Sequence, residues 1–314
     1  MSRRLCIIPI LLLLAPFAAH AEYPEKPIDV ILPWPPAAST DVSTRLVLEI
    51  MSEKLGVPMK VINKPGGRGV IGTTELTQSR PDGYTLGAVT VGPAVTQIAA
   101  GNAPYQMDEL APIGLFATLP FVLLARADAP FDDLQSLAKY AESRDQPWVL
   151  GHWGRAAVPT LTIYRIAGAE GYEFKEIAFQ DLNASQLLNG DADLVTVSTP
   201  AVMGQIQAGT VKPIAAMTPV RNVALPDLRT VREQGYGFDA AIWAGLFAPA
   251  GTPDDIIDTL ASALEAAVAD PRMDEFIQES GAVIFFQGPE ATREQMQDEF
   301  RAYSEVMQGL GLIP

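Results

Sequence analysis

The segment IDVILPWPPAASTDVSTR, residues 28–45, decides the fold class of this 314-residue chain. An apolar strand runs into a proline-bounded turn, after which Ser39, Thr40 and Asp41 begin a helix. The first N–H groups of a helix have no intrahelical acceptor and lie at the positive end of its dipole. The turn can therefore bind a carboxylate or phosphate without a basic side chain. The alternative is an ordinary helix start, since such corners occur throughout α/β proteins.

The N-terminus has the features of a secretory signal. Arg3 and Arg4 precede an apolar run over residues 5–17, and the tripeptide AHA at 19–21 has the small-x-small pattern of a signal-peptidase site. We therefore expect export, with cleavage after this tripeptide. A membrane anchor is the alternative, but the run is shorter than the about 20 residues that span a bilayer.

The composition excludes several classes of function. After that cleavage the chain would contain no cysteine and one histidine, His152, so disulfides and zinc sites with several Cys or His ligands are excluded. No metal or cofactor is expected. With Arg3 and Arg4 removed, 20 of the 22 basic residues would face 37 acidic ones, a charge of about −17 that disfavours nucleic acid and anionic lipid. Any specificity for an anion must then be local, from helix starts, hydroxyls and one or two arginines.

Strand-like apolar runs alternate with amphipathic helical stretches along nearly the whole mature chain. This alternation predicts an α/β fold with mostly parallel sheets and helices on both faces. Extended runs around Pro120 and over residues 241–248 predict two crossings between two units. The expected domains are 22–122 together with 241–314, and 123–240. Such a pair of lobes forms a clamshell with a ligand cleft between them and closes about a hinge.

Six blocks of the sequence resemble, in order, the signature blocks of one receptor family: PIDVILPWPPAASTD, VINKPGGRGVIG, RPDGYTLGAVT, AGTVKPIAAMT, LPDLRTVREQG and IWAGLFAPAGTP. The family comprises the periplasmic substrate-binding proteins of tripartite tricarboxylate transporters, also called Bug receptors. The resemblance implies a two-domain type II periplasmic binding-protein fold, residence in the periplasm and no catalytic activity. It also implies capture of an organic carboxylate between the lobes and delivery to a permease with a large and a small subunit.

The resemblance places one ligand carboxylate against the turn after the first strand and against the start of a second-lobe helix. Ala37 and Ala38 stand where the family usually has two glycines, so this turn is expected to be tighter or differently shaped. Arg68 stands where the family often has a small residue and is interpreted as a solvated loop arginine. For Asp41, a role at the helix start is preferred to direct contact with the ligand. The first-lobe candidates for ligand binding are Pro35, Pro36, Ala37, Ala38, Ser39, Thr40, Asp41, Thr90 and Gly92.

The second-lobe block GHWGRAAVP, residues 151–159, departs from the family pattern. His152, Trp153 and Phe179 are interpreted as an aromatic wall, and Arg155 as a clamp for a carboxylate. The alternatives are a core position for Trp153 and a solvent-facing position for Arg155. The second-lobe candidates for ligand binding are His152, Trp153, Gly154, Arg155, Ala156, Ala157, Phe179, Asn183 and Ser198.

These residues favour a small dicarboxylate or an aromatic carboxylate as the ligand of a protein that we expect to be monomeric. An enzyme is one alternative, but the sequence has no G-x-S-x-G or H-E-x-x-H motif, and His152 would have to serve any triad. A sensing adaptor that docks on a sensor-kinase ectodomain is another. Its cleft would be the same, so the sequence does not separate sensing from transport.

Overall fold

The structure is a computed structural model that describes residues 23–144, 146–179, 182–237 and 241–314, so the predicted signal segment lies outside the described residues. None of the described helices is long and apolar enough to cross a membrane. The strands are β1 Ile28–Leu32, β2 Met59–Asn63, β3 Thr85–Thr90, β4 Leu110–Leu119, β5 Phe121–Arg126, β6 Trp148–His152, β7 Phe174–Ala178, β8 Leu194–Ser198, β9 Val211–Met217, β10 Ile242–Pro249 and β11 Val283–Gln287.

The helices lie on the faces and ends of these strands. They are α1 Ser39–Leu55, α2 Val70–Thr77, α3 Gln97–Ala99, α4 Leu134–Glu142, α5 Val158–Glu170, α6 Ser185–Leu188, α7 Thr199–Gln207, α8 Asp254–Val268, α9 Arg272–Ser280 and α10 Pro289–Gly309. The sequence pattern predicts neither α9 nor β11, because short apolar runs do not distinguish helix from strand.

Two mixed sheets form the framework, and we call the parts of the chain built on them the first and second lobes. The first sheet has the order β11-β4-β10-β3-β1-β2 and the second the order β7-β6-β8-β5-β9. The expectation of mostly parallel sheets is wrong, because β10 and β5 are each antiparallel to both of their neighbours. Among the named strands, β1 is parallel to β2 and β3, and β6 is parallel to β7 and β8.

The chain passes from the first sheet to the second at Pro120, between β4 and β5, and returns between β9 and β10. The start of the return strand lies beside the outgoing crossing, since Ile242 pairs with Leu119. These two passages agree in number with the crossings predicted from the sequence. The domain limits drawn there remain a proposal.

The β1–α1 and β6–α5 units have the same local construction, in which a buried strand leads through a short turn into the start of a helix. β1 is almost wholly buried, as its continuous apolar run requires. α1 ends at Gly56, with φ 71°, and α5 ends at Gly171, with φ 78°, the left-handed helix ends that glycine adopts without strain. The β1–α1 and β6–α5 turns, which contain most of the candidate residues, are thus each held between a strand and a helix that ends at a glycine.

Helix α5 also packs against the first lobe. Val158 and Leu161 of α5 belong to the same buried apolar cluster as Tyr303 and Met307 of α10, which itself packs on β4. Helix α10 therefore packs on the first sheet and also touches the second lobe. The start of α5 is therefore held beside the first lobe by apolar burial.

Candidate functional site

The turn between β1 and α1 is held in shape by the carboxylate of Asp41. Its Oδ2 accepts hydrogen bonds from the backbone N–H of Ala37 at 3.0 Å and from Arg45 Nε at 2.9 Å, and its Oδ1 accepts one from Asn63 Nδ2 at 2.9 Å. Asp41 is only 3% exposed. All of its described contacts are thus internal, so Asp41 shapes the turn, and a direct contact with a ligand stays a prediction. Pro35, Pro36 and Ala37 are exposed, whereas Thr40 is buried.

The pKa of Asp41 reflects these contacts. Burial alone would raise it, but the hydrogen bonds from Arg45, Asn63 and Ala37 together outweigh burial and leave the pKa below its ordinary value. The carboxylate is therefore charged throughout the neutral range. At every pH at which it is ionised, it accepts the hydrogen bonds that hold the turn in this conformation.

Ala37 adopts a left-handed backbone conformation, with φ 65°. Glycine reaches this region freely, whereas an L-residue pays about 1–2 kcal/mol there. Alanine stands where the family usually has glycine, so the positive φ at residue 37 costs conformational free energy in this chain. Ala38, with φ −62° and ψ 154°, is in an ordinary extended conformation.

We expect the substitution Ala37→Gly to raise the free energy of unfolding by about 0.5–1 kcal/mol, because the strain removed exceeds the added entropy of the unfolded chain. Urea unfolding followed by circular dichroism measures it. Ala38→Gly is the matched control and should lower stability slightly, because no strain is relieved there. Equal losses in both variants would show that Ala37 is unstrained.

On the second lobe, His152 closes the turn between β6 and α5 from inside. It is 2% exposed, and its Nδ1 accepts the backbone N–H of Gly154 at 2.8 Å. Burial lowers the pKa of His152, and the nearby Arg155 and Arg68 lower it further against the opposing charge of Glu176. A neutral imidazole with its proton on Nε2 fits these contacts. His152 therefore supports the turn in this structure, and its place in a ligand-facing wall stays a prediction.

Glu176 of β7 links His152 to Arg155. Its Oε2 lies 3.3 Å from His152 Nε2, at an angle outside the range of a hydrogen bond, and its Oε1 forms an ion pair with Arg155. The Arg155 side chain is 62% exposed, while that of Glu176 is 20% exposed. The guanidinium is thus both partnered and open to solvent, so it retains donors for an anion.

Trp153 and Phe179 stand behind the same turn. Both are partly buried and pack against a second-lobe apolar cluster, and Trp153 Nε1 donates to the carbonyl of Thr196 at 2.9 Å. The Phe179 N–H donates to the His152 carbonyl at 3.0 Å. Trp153 is therefore part of the lobe's packing, as the core alternative proposed. Both rings keep partial exposure.

Arg68 is exposed in its loop, as interpreted from the sequence, and it also connects the two lobes. Its Nε donates to the carbonyl of Trp153 at 2.7 Å. Arg68 itself has φ 56° and ψ 40°, left-handed values that a side chain makes costly. A Cβ added to Gly154 would lie 2.5 Å from Arg68 Nε, so only glycine leaves room for the guanidinium. The loop at residues 66–69 is thereby joined to the turn that begins α5.

The other candidate residues lie at strand or helix ends. Thr90 is the buried last residue of β3, and Gly92 lies two residues beyond it. Asn183 is exposed, and its Oδ1 accepts the N–H of Ser185. Ser198 is the last residue of β8 and precedes α7. Gly154 is buried, and Ala156 and Ala157 are partly buried at the start of α5.

Two of these partners have no signal in the sequence. Glu176 lies on a neighbouring strand, in register with Leu150, and Thr196 acts through a contact that depends on the folded chain. Arg45 could have been found, because it lies four residues after Asp41 on the helix α1. Asn63 could have been found, because it ends β2 in register with Leu32 at the end of β1. Carboxyl ends of adjacent parallel strands share one edge of a sheet.

A groove of about 620 Å³ lies elsewhere, confined to the first lobe between the starts of β4, α8 and α10. Its lining includes Asp108, Asp254, Asp258 and Glu290, against one arginine, Arg293. It would repel a carboxylate and involves no residue of the second lobe. We therefore place the candidate site at the contact between Arg68 and Trp153, where both lobes contribute.

The chain matches known proteins over most of its length. Residues 43–312 match the family model TctC, described as the tripartite tricarboxylate transporter family receptor. A protein of the UPF0065 group from Bordetella pertussis is 31% identical, with 98% of this chain and 97% of the relative covered.

Solved structures have the same fold. That of the periplasmic binding protein BugD is 31% identical, with a TM-score of 0.77 and coverage of 92% of this chain and 99% of that one. MatC from Rhodopseudomonas palustris, solved with bound malate, is 26% identical, with a TM-score of 0.77 and coverage of 90% and 99%.

Proposed function

Because the chain belongs to the tripartite tricarboxylate transporter receptor family, we propose that it captures a small organic carboxylate between its lobes and delivers it to a permease of that transporter type. Receptors of this family are periplasmic solute-binding proteins and not enzymes. The malate bound to MatC supports a carboxylate as the ligand class.

One observation carries the proposal. The hydrogen bond from Arg68 Nε to the Trp153 carbonyl brings the loop at 66–69 against the turn that begins α5. A ligand held there would face the helix start after that turn, and the β1–α1 turn offers a second one across the cleft. Backbone N–H groups at helix starts stabilise a carboxylate without a full positive charge, which suits so acidic a protein. A dicarboxylate or an aromatic acid would add contacts to Arg155 or to the partly exposed rings.

A thermal-shift screen tests the ligand class. Mono-, di- and tricarboxylates, amino acids and nicotinate-like acids form the panel, with sugars and divalent cations as controls. A ligand at about 100 times its dissociation constant adds about 2.7 kcal/mol to stability, which for a protein of this size raises Tm by about 5 °C or more. We expect this rise with at least one carboxylate. Stabilisation by neutral sugars or metal ions alone would contradict the proposal.

Delivery to a permease is tested separately. We expect uptake of the identified carboxylate, as radiolabel, only in cells that contain both this chain and the permease subunits. Binding without any dependence of uptake on this chain would leave a carboxylate receptor that does not serve transport.

A further inference from the structure

A small cavity of about 270 Å³ lies beside the proposed carboxylate cleft and is lined from both lobes. Arg68 of the first lobe and Arg155 with Ala156 of the second contribute to it, and Met307 and Leu312 close it from the C-terminal segment. Complete sites for small molecules usually have about 300–1,000 Å³. This cavity therefore suits one end of a ligand whose other end lies elsewhere.

Charge selects the kind of group that fits. Two of the described lining residues are arginines and none is acidic. On a chain with 37 acidic and 22 basic residues, two guanidinium groups from different lobes at one cavity are unusual. Asn102, the other polar side chain, has its Nδ2 committed to Gln97 Oε1. That bond uses one of the two Nδ2 hydrogens, so the arginines supply most of the free donors in the cavity.

Both guanidinium groups are positioned by protein contacts that leave donors over. Arg68 uses Nε on the Trp153 carbonyl, and Arg155 is ion-paired with Glu176. A guanidinium has five N–H donors in a fixed plane, so each arginine keeps donors for a paired contact with a carboxylate. The contact that fixes Arg68 joins the two lobes, so the position of its guanidinium depends on how the lobes are placed relative to each other.

We infer that Arg68 and Arg155 form a subsite for a second acidic group, and that the ligand is a dicarboxylate whose first carboxylate occupies the helix-start cleft. The inference rests on the proposed carboxylate function and narrows it. The first carboxylate is neutralised by backbone N–H groups, and the second by one side chain from each lobe.

Calorimetric titration of the full mature chain with matched ligands tests the subsite. The probes are succinate, glutarate and adipate, each with its monomethyl ester, which keeps the chain length and removes one charge. The wild-type protein should bind the best diacid at least about tenfold more tightly than its monoester. Arg68→Ala and Arg155→Ala should each remove most of this preference. Arg155→Ala should leave the monoester affinity nearly unchanged, whereas Arg68→Ala should lower it to a smaller extent, because it also removes the contact with Trp153. Arg68→Lys should be intermediate, because lysine keeps the charge and loses the paired donors.

The controls separate the possible failures. Arg80→Ala removes an exposed arginine outside the cavity lining and should change neither affinity. An equal loss for diacid and monoester in Arg68→Ala would mean that Arg68 acts only by joining the lobes, which overturns the subsite. Equal binding of diacid and monoester by the wild-type protein would also overturn it, with the carboxylate function intact. If the wild-type protein binds no carboxylate in any assay, the proposed function itself fails.

Discussion

Substitution of Gly154 by alanine is expected to weaken ligand binding by about tenfold. Two effects combine at this residue. Its φ is 124°, a backbone conformation that side chains rarely adopt, and a new Cβ would lie 2.5–2.7 Å from the Nε, Cζ and Nη2 atoms of Arg68. The guanidinium would have to leave the Trp153 carbonyl, so the two lobes would lose a direct contact. Titration calorimetry with the carboxylate found in the thermal screen measures the loss.

A double variant separates the two effects. Arg68→Ala in the Gly154→Ala background should cost little further affinity, because the single variant has already lost the contact with Trp153, and any difference from Arg68→Ala alone measures the backbone strain at residue 154. Gly168→Ala, in helix α5, is the matched control, because a Cβ added there meets nothing within 4 Å. It should leave binding unchanged and add up to about 1 kcal/mol of stability. Normal binding by Gly154→Ala would show that the contact between Arg68 and Trp153 is dispensable.

Substitution of Asp41 by alanine is expected to lower the free energy of unfolding by about 2 kcal/mol and ligand affinity by at least about tenfold. The change leaves Asn63 Nδ2 and the Ala37 N–H without their acceptor, and polar groups that lose a buried partner cost about 1–3 kcal/mol. The turn at the start of α1 would then sample other conformations, and its N–H groups would lose their fixed direction. Glu49→Gln, on an exposed position of the same helix, is the control.

The pH dependence of stability gives an independent test of Asp41. Its folded-state pKa is lowered, so its contribution to stability is complete above the ordinary carboxyl value of 3.8 and is lost as the pH falls through the lower folded value. The wild-type protein should therefore lose stability below about pH 4 more steeply than Asp41→Asn. Unfolding at a series of pH values measures both slopes. Identical slopes would show that the hydrogen bonds to Asp41 do not favour its ionised form.

Local structure was largely predictable here because it depends on local chemistry. β1 forms where the apolar run at the start of residues 28–45 predicts a strand, since it is a short apolar run that ends at turn residues. The direction of β10 and β5 was not predictable in the same way, because it depends on how the chain travels between the lobes. α1 and α5 were predictable from the change in periodicity and from proline and small residues at their starts.

The candidate site likewise contains local features that the sequence predicts and long-range contacts that it does not. The turn at 35–41 and the turn before α5 follow from strand–turn–helix patterns that are visible in the sequence. The bond from Arg68 to Trp153 joins residues 85 positions apart, and no periodicity encodes it. The partnership of Arg155 with Glu176 likewise requires the pairing of β6 with β7. Contacts between elements that are distant in sequence therefore cannot be predicted from residue patterns and require the folded structure.

The passage at Pro120 limits how the lobes can move. One residue separates the last residue of β4 from the first of β5, and the Pro120 carbonyl accepts the N–H of Thr199 at the start of α7. The return strand begins alongside, at Ile242 opposite Leu119. Because the outgoing passage is a single residue and the return strand begins beside it, we expect the lobes to rotate about this point and to slide very little. Such a rotation would have its hinge at Pro120, and the hydrogen bond to Thr199 connects the end of β8 to that hinge. We therefore expect a ligand bound near Ser198 to change the angle between the two lobes.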